Sequence, residues 1–89
     1  MIRENIRVVN STGLHARPAA TFVKTLKKYA SSVTLVNNGK ATEVKGLMSV
    51  LGAGVKGNTS IEIICEGPDE QVLMNEIKGL FASGFGEKE

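Results

Sequence analysis

The chain has 89 residues, a formal net charge of +2 and a hydrophobic content of 42%. This length fits one small domain, residues 1–89, and excludes two-domain enzymes, doubly wound nucleotide-binding folds and (β/α)₈ barrels. The composition is that of a globular domain, and a charge of +2 is too small for nonspecific binding to nucleic-acid phosphates.

The pattern of the first third predicts a strand and then a helix. Apolar residues between Ile2 and Val8 alternate with polar ones, as in a half-buried strand. Glu4 interrupts the alternation, so we expect an edge strand or a frayed start. A loop is predicted at residues 10–13. Apolar residues then recur with helical spacing from Ala16 to Ala30, which predicts an amphipathic helix.

The middle of the chain predicts a hairpin and a short helix. Strands at residues 33–36 and 40–44 flank Asn38-Gly39, a strong signal of a tight hairpin turn. A helix of one or two turns that ends at Gly52 follows, because apolar residues recur with helical spacing at Val44, Leu47, Met48 and Leu51.

The last third predicts a strand over residues 61–65 and an amphipathic helix that begins after Asp69, its candidate N-cap. Gly84–Gly86 ends this helix, and residues 87–89 are predicted to be a frayed tail. The order is β-α-β-β-α-β-α with short connections. It predicts an α+β fold in which helices cover one face of an antiparallel sheet.

The segment Gly52–Gly57 matches the dinucleotide-binding pattern G-x-G-x-x-G. That motif requires a strand before it and a helix after it. Here a helical pattern precedes the glycines and a strand pattern follows. We therefore interpret them as the end of a helix and a turn.

The most informative residue is His15, the only histidine, at the predicted N-cap of the first helix. The backbone N–H groups of Ala16 and Arg17 have no helical acceptor there, and the helix dipole adds positive potential. Such an end can bind phosphate, and the Arg17 guanidinium suits phosphate oxygens. A neutral imidazole is also nucleophilic. Taken alone, a single histidine at a turn is more often a polar loop residue than a functional group, and its neighbours make a phosphate-accepting histidine the alternative.

Other chemistry finds little support in the residues. Cys65 is the only other soft metal ligand and lies on a predicted strand, so no metal site is expected. No G-x-S-x-G elbow is present. A single cysteine favours a reducing compartment, and the first residues lack the apolar segment of a secretory signal. No uncharged stretch approaches the ~20 residues of a membrane span. We expect a cytoplasmic protein without membrane association.

The segment Gly13-Leu14-His15-Ala16-Arg17-Pro18 resembles the phosphohistidine signature of the HPr family, the phosphocarriers of the bacterial phosphoenolpyruvate:sugar phosphotransferase system. Other positions in register are Asn38-Gly39-Lys40, Lys45, Leu47-Met48 and Gly67-x-Asp69-Glu70. The resemblance implies an open-faced β-sandwich, with a four-stranded antiparallel sheet covered on one face by three helices. It also implies that His15 takes a phosphoryl group on Nδ1 from enzyme I and passes it to a IIA domain of a sugar permease, supported by Arg17. It implies no cofactor.

The resemblance further implies a docking surface beside His15. On the first helix it comprises Ala20, Thr21, Lys24 and Lys27. On the short helix it comprises Leu47, Met48 and Leu51. The alternative for the lysines is a solvated helix face, and for the three apolar residues it is the core. Because so short a helix can bury at most two of them, we expect at least one to be exposed to a partner.

One position departs from the family pattern. Members from Gram-positive bacteria carry a regulatory serine at the start of the second helix, and in this chain that position is Gly46. Ser49 lies about one turn later. It is either a substitute phosphorylation site or an ordinary helix-start residue, and an exposed serine is more often the second.

Two rival functions stay open. A nucleic-acid-binding α/β domain would present aromatic side chains on its sheet, whereas all four aromatic residues fall on or near predicted helices. A regulatory HPr-like paralogue, for example of a nitrogen-regulatory branch, would bind protein partners instead of carrying phosphate. Relatives that bind a repressor or an enzyme without carrying phosphoryl groups lack the histidine and keep the serine, the reverse of this chain. A monomer that binds enzyme I, IIA domains and regulatory proteins is expected.

Overall fold

The computed structural model describes residues 1–86. Its elements are β1 Ile2–Val8, α1 Ala16–Leu26, β2 Ser32–Asn37, β3 Lys40–Glu43, α2 Leu47–Gly52, β4 Thr59–Glu66 and α3 Glu70–Ala82, with a 3₁₀ turn at Gly84–Gly86. The predicted order β-α-β-β-α-β-α is confirmed, and Gly52–Gly57 joins a helix to a strand as interpreted. The predicted frayed tail, residues 87–89, lies outside the described residues.

The four strands form one antiparallel sheet in the order β1-β4-β2-β3. The apolar residues of β1 and β4 face the helices, and Ile6 lies opposite Ile61 in the register. The other face is open and polar. The predicted edge position of β1 is confirmed, and the carboxylate of Glu4 pairs with Lys78 of α3 at 3.0 Å. The fold is an open-faced β-sandwich.

The core lies between the sheet and the helices. Phe22 of α1 and Phe81 of α3 are fully buried, with ring centroids 5.7 Å apart in an edge-to-face arrangement. Phe85, in the 3₁₀ turn, stacks edge-to-face on Phe81 at 4.8 Å. These contacts join α1, α3 and the C-terminal turn. Cys65 is also buried, and burial raises the pKa of its thiol to about 11. The side chain is therefore uncharged and packs as a small apolar residue.

Helix α1 is shorter than predicted, since it ends at Leu26 rather than Ala30. The physical reason is a contact made by Asp69. Its carboxylate accepts the N–H groups of Ala30 and Ser31, each at 2.9 Å, and the Ser31 hydroxyl. These bonds turn the chain out of the helix and into β2.

Asp69 occupies the predicted N-cap position of α3, but its side chain does not cap that helix. The hydrogen bond from the Ser31 hydroxyl and that from the Ala30 N–H lower the pKa of the Asp69 carboxyl below its ordinary value. The Asp69 side chain therefore connects the start of α3 to the start of β2 instead of capping the first turn of α3.

No helix among residues 1–86 has the length and apolar character needed to cross a membrane. In the same part of the chain, no group of three or more histidine, cysteine or carboxylate side chains is arranged to hold a metal ion.

Candidate functional site

His15 is the N-cap of α1 and has an extended backbone with φ −93° and ψ −165°. Its carbonyl oxygen accepts the first helical hydrogen bond, from the N–H of Ala19 at 2.8 Å. The N–H groups of Ala16 and Arg17 therefore lie in the first turn without intrahelical acceptors. Pro18 has no N–H, and its ring is buried. The helix thus directs two backbone donors toward the end that carries the exposed His15 and Arg17 side chains.

The loop before His15 is held by its own hydrogen bonds. Asn10 is buried, and its Nδ2 donates to the Gly13 carbonyl at 2.8 Å. Gly13 adopts a φ of +68°, which an L-residue rarely tolerates. Leu14 is inserted in the core, and its N–H donates to the Val55 carbonyl at 3.1 Å. His15 therefore follows a fixed residue rather than a loose loop.

The part of the predicted docking surface that lies on α1 is largely exposed, as is Arg17. Arg17, Ala20, Lys24 and Lys27 are exposed, and Thr21 is half-buried. Lys28 differs from them because it pairs with Glu76 of α3 at 3.3 Å. Among residues 1–86, no carboxylate forms an ion pair with Arg17, Lys24 or Lys27. This face of α1 therefore presents positive charge that no carboxylate of residues 1–86 pairs with.

Helix α2 packs against α1, the helix that carries this charge, and presents an apolar surface of its own. Met48 is 77% exposed, Leu47 40% and Leu51 37%. All three apolar residues of the predicted docking surface therefore face solvent, and the core alternative is wrong for each. The residue of α2 that enters the core is Val50, which is fully buried and which helical spacing had not singled out. One buried anchor holds this short helix while its apolar residues stay accessible.

The start of α2 is capped by Ser49 from within the helix. Its hydroxyl donates to the Gly46 carbonyl at 2.6 Å and accepts the N–H groups of Lys45 at 3.0 Å and Gly46 at 3.1 Å. One donated and two accepted hydrogen bonds use the full capacity of a hydroxyl. Gly46 has an extended backbone and supplies no side chain. Ser49, the third residue of the helix, thus reaches back to the N–H group of the N-cap residue Gly46, as the third residue of a capping box does.

Sequence reasoning missed two further features near the site. Asn37, at the end of β2, donates from Nδ2 to the carbonyls of Ala53 at 3.0 Å and Gly54 at 3.3 Å. Gly57 lies in backbone contact with the loop at Ser11. An asparagine before a hairpin and a glycine after a helix are read as turn residues, so neither pattern pointed to these contacts.

The fold and the site together define a small open-faced β-sandwich domain with an exposed histidine at a helix end. The family model described as the PTS HPr component phosphorylation site matches residues 2–83. The chain belongs to the PTS-HPr family. It is therefore a phosphocarrier of the phosphotransferase system rather than an enzyme.

Individual relatives agree with this assignment. The phosphocarrier protein HPr of Treponema pallidum is 33% identical over 88 residues, covering 99% of this chain and 100% of the relative. The crystal structure of HPr-C-His from Thermoanaerobacter tengcongensis has a TM-score of 0.94 and 35% identity over 100% of both chains. Crh, the catabolite repression protein of Bacillus subtilis, has a TM-score of 0.74 and 31% identity, covering 94% of this chain and 97% of its own.

Proposed function

We propose that this chain, acting in the cytoplasm as a single monomeric domain, accepts a phosphoryl group on His15 from phosphorylated enzyme I. It then donates the group to the IIA domain of a sugar-specific permease. The observation that carries the proposal is the position of an exposed histidine at the N-cap of α1, beside two backbone donors and Arg17. The family assignment supports a phosphocarrier role in general.

We propose the following transfer step, in which the choice of Nδ1 rests on the family resemblance. The lone pair of His15 Nδ1 attacks the phosphorus held by the donor histidine, and the donor's N–P bond breaks with its electron pair returning to the donor imidazole. The N–H groups of Ala16 and Arg17 and the Arg17 guanidinium then stabilise the dianion. Each helix-end contact contributes about 0.3–1 kcal/mol. So modest a stabilisation leaves the phosphoryl group transferable to the next histidine.

We assign partner docking to the face formed by α1 and α2. Lys24 and Lys27 lack ion-pair partners among the described residues, and such charges speed encounter with acidic proteins. Beside them Met48 supplies exposed apolar surface. A small apolar patch rimmed by positive charge is typical of transient interfaces. Enzyme I and IIA domains are the partners that we assign to it.

Regulation by a serine kinase is not part of the proposal. Position 46 is glycine and cannot be phosphorylated. The Ser49 hydroxyl is occupied by three hydrogen bonds at the start of α2, so we assign it a structural role. The second candidate function is a regulatory protein that binds partners without carrying phosphate, which the likeness to Crh favours. The presence of His15 in a phosphate-binding setting favours the carrier.

The test is incubation of the chain with enzyme I and phosphoenolpyruvate, followed by intact-mass analysis. We expect one acid-labile phosphoryl adduct on the wild type and none on His15→Ala. An adduct that persists in His15→Ala, or the lack of any adduct on the wild type, would exclude the proposed role of His15. Incubation with ATP and a serine kinase is the companion test, and labelling at Ser49 would contradict its structural assignment.

A further inference from the structure

The segment between α2 and β4, residues 53–58, lies directly beneath the loop that precedes His15. We call it the platform loop. The Leu14 N–H donates to the Val55 carbonyl at 3.1 Å, and the Asn58 N–H donates to the Val8 carbonyl at 2.8 Å. The platform loop is therefore bonded to the chain on both sides of residues 9–13.

Glycines make the two loops interlock. A Cβ on Gly57 would lie 2.1 Å from the Ser11 carbonyl oxygen and 2.4 Å from that of Asn10. A Cβ on Gly13 would lie 2.4 Å from the Val55 carbonyl oxygen. All of these atoms belong to the backbone and cannot rotate away as a side-chain end could. Each loop therefore needs a residue without a side chain where it meets the other.

The platform loop is anchored on its opposite side by Asn37. The side-chain amide of Asn37 donates to the carbonyls of Ala53 and Gly54, at 3.0 Å and 3.3 Å. A continuous set of contacts thus runs from the end of β2 through the platform loop to Leu14, the residue before His15.

We propose that Gly57 and Asn37 are positioning residues for phosphoryl transfer, acting through the platform loop on the backbone at His15. The inference rests on the proposed function of His15. In-line transfer requires the imidazole and the first-turn N–H groups to be held in one geometry, and a displacement of about 1 Å can cost up to about 100-fold in rate. A rigid backbone beneath His15 supplies that constraint before any partner docks.

The primary test is Gly57→Ala, compared with Gly79→Ala. Gly57 does not have a positive φ, so an added methyl acts there only through its contact with residues 10 and 11. Gly79, on α3, has open space around its Cβ position and also lacks a positive φ, which makes it a matched control. With phosphorylated enzyme I as donor, we expect Gly57→Ala to lower kcat about 10- to 100-fold. KM should stay unchanged, because the docking face is untouched. Gly79→Ala should match the wild type.

A second measurement separates positioning from simple loss of stability. In ¹H–¹⁵N spectra of the folded fraction, Gly57→Ala should shift the Leu14 amide and the His15 ring signals, whereas Gly79→Ala should leave them in place. Asn37→Ala is the companion variant if Gly57→Ala does not fold. It should lower kcat in the same direction with KM unchanged.

The inference would be overturned if the folded variants had the wild-type kcat and unshifted His15 signals. It would also be overturned if the fraction of unfolded protein alone explained the lower rate. If the wild type accepts no phosphoryl group, the proposed function fails. The positioning effect is then decided by the His15 ring and Leu14 amide signals, which must still move in Gly57→Ala or Asn37→Ala.

Discussion

Removing the Ser49 hydroxyl tests how α2 is held. The Ser49→Ala variant loses one donated and two accepted hydrogen bonds at the helix start. Lys45 is exposed and Gly46 half-buried, so water replaces part of what is lost. The free energy of unfolding should fall by about 1 kcal/mol, as it does when a capping side chain at a helix start is removed. For a domain of this size, that lowers Tm by about 4–8 °C.

The assay is thermal unfolding together with hydrogen exchange at the amides of α2. Because Val50 is the only fully buried residue of this helix, a loss of about 1 kcal/mol should raise the open population about fivefold. The double variant Gly46→Ser/Ser49→Ala provides the control. A side chain at Gly46 has open space and an extended backbone. A serine there can accept a first-turn N–H group as an N-cap, and this new hydrogen bond should offset most of the lost stability. The expected fall in the Tm of Ser49→Ala is about 4–8 °C, and a fall of only about 1–2 °C would refute the reasoning. A double variant with the same Tm as Ser49→Ala would refute it as well.

Three further predictions concern the site and the fold. Arg17→Ala should slow phosphoryl acceptance about 10- to 100-fold, the value of one charge-assisted hydrogen bond, with Tm unchanged; equal rates would remove Arg17 from the mechanism. Met48→Ser should weaken binding to enzyme I about 5- to 10-fold while stability, measured by urea unfolding, stays within about 0.5 kcal/mol; an unchanged Kd would contradict the docking assignment. The pKa of the Asp69 carboxyl is lower in the folded chain, so its contribution to the free energy of unfolding is present above its unfolded pKa and is lost below about pH 4. In the Asp69→Asn variant the free energy of unfolding should therefore fall less steeply with decreasing pH. Equal slopes for the variant and the wild type would contradict this prediction.

Patterns among neighbouring residues were sufficient to predict the order of the strands and helices. The parity of β1, the Asn38-Gly39 turn and the helical spacing of α3 each depend on neighbouring residues, and the structure contains all three elements. The same holds for His15 at the N-cap, because helix starts are set by residues within one turn. The motif around His15 also carried the resemblance that the comparisons confirm.

The features that sequence reasoning missed depend on contacts between distant segments. The end of α1 is set by Asp69, about half the chain away, so periodicity predicted a helix that continues to Ala30. On α2, spacing singled out the apolar residues that the structure leaves exposed, and the buried residue is Val50. The contact of Gly57 with Ser11 likewise follows from the packing of two loops. No local pattern could reveal these pairings.

The most direct test of the central claim follows one phosphoryl group through the carrier. The chain is phosphorylated with enzyme I, separated from the donor and examined by ¹H–¹⁵N NMR of the His15 ring before and after addition of a IIA domain. The account predicts a phosphoryl group on His15 Nδ1 that disappears as the IIA domain becomes phosphorylated. A group located on another residue, or one that stays on His15 when the IIA domain is added, would contradict it.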